Sequence, residues 1–279
     1  MLYEDRAVAF VDVLGFKALI ESTIDNNGNE IEQKSILLNT FFEEIEREFC
    51  SEERWPEDDN VFTRIVTHFS DSIVFSVKGS EKDAVIRLLD YIHYLLITGI
   101  KYGILFRGGI TYGKVVHNEK RIFGPAMNSA HYLENTNAIT PRIIIDNEVI
   151  RQTFINRGPQ ADIDDVEKYL TTFINEDNDG YYYIDYFNNI LNELEWPCDM
   201  QAYSEDLKNI IIKNENIIKN IRDRKSKNNL KQKNIWLKKK FNAMIKEQRS
   251  NIPNYPDYID DEGWYDLGNY WKSCKLFHI

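Results

Sequence analysis

Only three cysteines occur in the 279 residues, Cys50, Cys198 and Cys274. They are odd in number and far apart, with no C-x-x-C pair and no histidine cluster nearby. That excludes a disulfide framework and the usual zinc spacings, so inert thiols are expected. Long apolar runs are also missing. Nothing approaches the ~20 residues needed to cross a bilayer, and the start, Met-Leu-Tyr-Glu-Asp-Arg, lacks signal-peptide architecture. The expectation is a soluble, cytoplasmic protein without a membrane partner. There is no internal repeat and no linker long enough to split the chain cleanly. With 43% hydrophobic residues it can still bury a real core, as one large domain or one domain plus an appendage.

Positive charge is scarce overall and concentrated in one place. The net charge is −11, yet residues 207–249 hold 14 Lys plus Arg against 3 Asp plus Glu. Such a stretch can bind nucleic acid. Here it is rich in Asn and Ile with few aromatics to stack on bases, which favours a solvated helix face and makes a nucleic-acid partner the third-ranked reading. An acidic body handling a polyanion needs metal ions or placed cations to offset repulsion. The composition therefore suits metal-assisted phosphate chemistry.

Residues 7–16 read Ala-Val-Ala-Phe-Val-Asp-Val-Leu-Gly-Phe, a buried strand with the carboxylate of Asp12 near its end. A lone buried Asp is costly unless bonded, paired or metal-bound, and taken alone Asp12 would be read as a turn cap. Residues 66–77 repeat the arrangement, with two strand-like runs hinged at Ser70, Asp71 and Ser72. Two such aspartates suggest a cation site.

Between and beyond these strands the spacing predicts helices over 32–49, from a cap at Ser80 to about Gly99, over 126–135 and over 148–154. A strand from Ile104, a tight turn at Gly113 and a returning strand are expected, then a short strand at 142–145. Residues 50–60 read as a charged loop. Strands at 169–174 and 181–186 are expected around Asp179-Gly180, followed by helices marked by Leu207 to Ile221 and Ile235 to Ile245, with 252–279 folding back. The order describes an α/β sandwich with mostly antiparallel connections. His68 reads as a hydrogen-bonded core histidine, and Arg107 beside Gly108-Gly109 as a structural support of the hairpin.

Four motifs then fall in order. Phe10-Val-Asp-Val-Leu-Gly-Phe16 resembles the first metal motif of class III nucleotide cyclases, F-x-D-x-x-G-F, and Ser70-Asp71 resembles their second metal aspartate. Arg107-Gly-Gly-Ile-Thr-Tyr-Gly-Lys114-Val is similar to the R-x-G-I-x-x-G-x-V hairpin. Residues 123–134, with Asn128 and Glu134, resemble the G-x-x-x-N-x-A-x-R-L-E helix. Four ordered pieces over residues 6–146 are far harder to produce by chance than one. The wording is closest to the pyrimidine cyclases of the Pycsar anti-phage system, which make cUMP or cCMP for a downstream cyclic-nucleotide effector.

The resemblance implies a ferredoxin-like cyclase domain, placed at 1–190 with a helical C-terminal extension at 191–279, and a homodimer with shared active sites. It implies two divalent ions, Mn2+ or Mg2+, at Asp12, Asp71 and the backbone of Val13. The triphosphate would lie on the backbone of Val13, Leu14, Gly15 and Phe16 and on Lys114, and Asn128 would orient the ribose from the opposite protomer. Tyr132 stands where the family has a transition-state arginine, so Arg64, Arg107 or Lys114 would have to substitute, or Tyr132 is plain core. The base-reading positions fall on Thr67 and Arg121. Donor-only Arg121 suits uracil O4 better than the cytosine amine. UTP is therefore expected over CTP, and a catalytically degenerate nucleotide-binding module is the second-ranked reading.

Overall fold

The structure is a computed structural model and describes residues 2–50, 64–188, 194, 196–252 and 264–279. It divides into two compact units, Met1–Ile184 and Asp185–Ile279.

The first unit is a mixed α/β body. Its elements run β1 (Glu4–Val13), α1 (Phe16–Glu21), α2 (Glu32–Ile45), a π-helical turn, β2 (Ile65–Phe69), β3 (Ser72–Lys78), α3 (Ala84–Lys101), β4 (Phe106–Asn118), β5 (Arg121–Phe123) and α4 (Pro125–Tyr132). A second π-helical turn, β6 (Ile143–Ile145), α5 (Asn147–Ile155), α6 (Ile163–Leu170), β7 (Ile174–Glu176) and β8 (Tyr182–Ile184) follow. Among the described residues the sheet has eight strands, in order β2-β3-β1-β4-β6-β8-β7 with β5 paired to β4. Every pairing is antiparallel except β4 with β6.

The period-2 pattern of β1 divides its side chains between the two faces of the sheet. Ala7, Ala9, Val11 and Val13 belong to the face covered by α2 and α3, where Phe41 and Phe106 pack 6.1 Å apart. Arg6, Val8, Phe10 and Asp12 belong to the other. There Val8, Phe10, Val74, Val115, Ala126 and Ala130 form a core under α4. That second face carries the candidate site.

Three expectations are corrected. Gly113 is no turn: β1 pairs across it, with Arg6 opposite Gly113 and Glu4 opposite Val115. Its φ of 154° keeps the backbone extended in a form that favours glycine, and the reversal comes at 119–120, where Lys120 N donates to Asn118 Oδ1 at 3.0 Å. Ser80 caps nothing. The chain turns on to Asp83, at φ 58°, whose carboxylate accepts from Gly158 N at 2.6 Å. Tyr169 is helical rather than extended, because Asp162 and Asp165 form a reciprocal capping box that starts α6.

The hairpin at Asp179-Gly180 is observed, with Gly180 at φ 81°. The loop expected over 50–60 lies, apart from its first residue, outside the described residues, as does Phe62.

The second unit holds α7 (Pro197–Asn220), α8 (Arg224–Asn251) and α9 (Trp264–Ser273). It begins before the expected boundary because Tyr203 Oη donates to Tyr186 O, and Phe187 packs edge-on against Trp236 at 5.6 Å. The basic stretch is amphipathic. Trp236, Leu237, Phe241, Met244 and Ile245 are buried, while Arg222, Arg224 and Lys225 are exposed.

Candidate functional site

Asp12 lies near the end of β1, opposite Ser72 on β3 and Arg107 on β4. The β2–β3 turn is strained at Ser70, φ 57°, and the carbonyl of the next residue, Asp71, accepts from Val13 N at 2.8 Å. That bond ties the turn to the end of β1 and sets Asp12 and Asp71 at one end of the sheet. Leu14 N is likewise engaged, donating to Leu105 O at 2.8 Å. The Val13 and Leu14 amides are therefore committed within the chain and do not serve as phosphate donors. Gly15, at φ 76°, turns the backbone into α1 at Phe16.

Two further groups close this end. Arg107 Nε donates to Asp12 Oδ2 at 3.0 Å, and its NH2 nitrogen makes a 2.6 Å ion pair with Glu134 Oε1. That oxygen lies off the N–H direction, so the contact is an ion pair rather than a directed hydrogen bond. Glu134 is only 3% exposed. Burial pushes its carboxyl above the usual range, Arg107 pulls the other way, and Asp12 and Asp71 add to the rise. The arrangement depends on Gly109, where a Cβ would meet Ala130 O and Leu133 Cβ at 2.6 Å each. Glycine lets the end of α4 lie directly on β4, so that Glu134 reaches Arg107.

In the sequence Glu134 is only the last letter of a motif, and Arg107 reads as a support of the hairpin or a substitute for the transition-state arginine. A ladder pairing residues 12 and 107 was needed to see them together.

The other expected residues are placed differently. Lys114 lies opposite Asp5 and binds its Oδ2 at 2.6 Å, with both side chains about half exposed. It is seven residues along the ladder from Arg107 and Asp12, about 23 Å at the rise of a strand. Within one chain Lys114 and Asp12 therefore cannot hold the same phosphate. Asn128 and Tyr132 are both exposed on α4, four residues apart and so on one helix face. Tyr132 is 61% exposed, which removes the reading of it as core.

Thr67 contacts His117 on β4, and Arg121 sits on β5 next to that hairpin's turn, opposite Asn118. Arg64 lies over the Tyr91 ring at 4.2 Å. His68 is exposed rather than core, stacked on Phe42 at 4.9 Å with Nε2 3.1 Å from Ser70 O.

Among the described residues no group of three or more His, Cys, Asp or Glu side chains is placed to hold a metal ion. Asp12, Asp71 and the Val13 carbonyl are nonetheless hard oxygen donors of the kind Mg2+ and Mn2+ prefer. Mg2+ commonly takes only one or two protein carboxylates when substrate phosphates supply the rest. The donor set fits such ions.

No protein-family model matches the chain, and no curated protein matches it.

Proposed function

We propose that the chain is a metal-dependent nucleotide cyclase that converts UTP to 3′,5′-cyclic UMP and pyrophosphate, acting as a homodimer in anti-phage defence and signalling to a cyclic-nucleotide effector. The observation that carries this is the bond from Val13 N to Asp71 O, which ties the β2–β3 turn to the end of β1 and so brings Asp12 and Asp71 to one end of an antiparallel sheet, where both act on the buried Glu134 carboxyl. The strand order β2-β3-β1-β4, with a helix crossing over after β1 and another after β3, supports a ferredoxin-like cyclase domain. The order of the motifs over residues 6–146 supports the same class.

In the reaction the ribose 3′ oxygen attacks the α-phosphorus, the bond to pyrophosphate breaks, and the hydroxyl proton leaves to solvent. Divalent ions, when bound, would lower the hydroxyl pKa and neutralise charge on the entering and leaving oxygens. Asp12 and Asp71 would hold them. Arg107 balances Asp12 and Glu134, so the site does not gather three unpaired carboxylates before substrate arrives. Lys114 and Asn128 act on the substrate held by the other copy, which the 23 Å separation along the ladder requires if Lys114 is to reach a phosphate.

Tyr132 in the arginine position favours a second reading, a nucleotide-binding module without turnover. Incubating the purified protein with all four ribonucleoside triphosphates and Mn2+, beside Asp71→Ala, and identifying products by mass spectrometry separates the two. A cyclic pyrimidine nucleotide lost in the variant is expected. Nucleotide binding without product would instead leave the binding module.

A further inference from the structure

The basic stretch of the second unit takes no part in the chemistry derived above. It nevertheless lines a groove of about 410 Å³ between the end of α7 and the facing part of α8. Ile218, Ile235 and Ile279 give this groove apolar walls, and Asn234, Lys219 and Lys231 give it polar groups. Its size suits a molecule no larger than a nucleotide.

The deepest of the polar groups is incomplete. Asn234 is 2% exposed. Its Nδ2 donates to Ile211 O at 3.3 Å, which ties α8 to α7 and fixes which way the amide points, because the reverse would set two oxygens against each other. Its Oδ1 is then left buried with no hydrogen-bond partner. A buried acceptor without a donor is costly, and a ligand that brings an N–H or O–H to it removes that cost.

The charges select the rest of the ligand. Lys238 is answered in place, by Glu215 Oε1 at 2.5 Å and His278 O at 2.9 Å. Lys219 meets a neutral group, Asn216 Oδ1 at 3.3 Å, and Lys231 makes no ion pair among the described residues. Both are exposed. Two unanswered ammonium groups beside an apolar groove call for an anion with an apolar body, and phosphate is the anion that lysine binds as a point charge.

We propose that this groove is a second nucleotide site. It takes a mononucleotide with the phosphate on Lys219 and Lys231, the base between the isoleucines and a base N–H on Asn234 Oδ1. On the cyclase reading the ligand is cyclic UMP, whose uracil carries a single N–H, at N3, so the enzyme's product binds the unit that does not hold Asp12 and Asp71. The ligand's identity rests on that reading, whereas the demand for a donor-bearing anion rests on the groove alone.

Calorimetry of the full chain with cyclic UMP in EDTA tests the proposal. Saturable binding with Kd below about 1 mM is expected, unchanged in Asp71→Ala. Lys219→Glu combined with Lys231→Glu should weaken it at least about tenfold and leave the urea midpoint in place, since both side chains are exposed. Cyclic UMP methylated at N3 lacks the donor and should bind about tenfold more weakly, which probes Asn234 without altering the protein.

Absent binding, binding lost in Asp71→Ala, equal affinity in the lysine variant or equal affinity for the methylated ligand each overturns the second site. The cyclase reading is judged separately, by the products of the triphosphate incubation. Product without groove binding sinks the groove alone, and groove binding without product sinks the cyclase reading alone.

Discussion

At one end of the β1–β4 ladder Arg107 pairs with Asp12; at the other, Lys114 pairs with Asp5. Each is a direct cross-strand pair in the same antiparallel register. The first pair lies beneath the end of α4, with side chains 27% and 15% exposed and the buried Glu134 as a third member, whereas the second is 52% and 49% exposed. Seven residues is an odd step along the ladder, so the two pairs lie on opposite faces of the sheet and have different surroundings. Water screens one of them, which leaves Lys114 inexpensive to detach and so available to a phosphate. The other is held where its removal strands carboxylates in a poorly solvated place.

The largest difference between the ends should appear in turnover. Asp71→Ala is expected to lower the cyclisation rate at least about 1,000-fold, since metal-assisted charge neutralisation contributes several kcal/mol. Its urea midpoint should barely move, because Asp71 sits in a turn. Arg107→Ala should come next, costing about 3 kcal/mol of unfolding free energy by leaving Asp12 and Glu134 uncompensated. Retained stability there would show that the Asp12 end is no more buried than the Asp5 end.

Acidification probes a third place on β4, the buried His117. Burial, with Arg6 nearby, makes its ring titrate near 4 in the folded chain against an ordinary 6.5. Between those values the unfolded chain binds more protons, so the stability from this ring is complete above pH 6.5 and is lost as pH falls towards 4. A decline on the order of 2 kcal/mol, absent in His117→Gln, is expected from denaturant midpoints over that window. The smallest effect belongs to Lys114→Ala, under about 0.5 kcal/mol, though it should still weaken turnover. A large loss of stability would mean the exposed pair is structural.

Much of the first unit was legible because its signals are local. The apolar run of β1, the helical spacing of α3 and the turn glycine at Gly180 each declare an element within a few residues. Asp12 and Asp71 stood out as carboxylates at strand ends. What was hidden depends on register or tertiary packing. Arg107 and Asp12 are 95 residues apart, and Arg6 and Ser76 are 70 apart, so neither contact leaves a trace in spacing. Gly113 was mistaken for a turn because glycine serves a bent strand as well as a reversal. α6, Ile-Asp-Asp-Val-Glu-Lys-Tyr-Leu, shows too few apolar positions to announce a helix, and its start lies in the capping box. Lys114 matched a phosphate-binding position, but only the ladder revealed its distance from Asp12.

That distance leads to the most direct test of a shared site. Asp71→Ala and Asn128→Ala chains, each inactive alone, would be mixed under conditions that allow subunit exchange and assayed for cyclic UMP. Recovery to about a quarter of wild-type turnover is expected, because half of randomly assorted dimers are mixed and each then holds one intact site. Full exchange with no recovered activity would contradict a site built from two chains, and would place both residues in one protomer's chemistry.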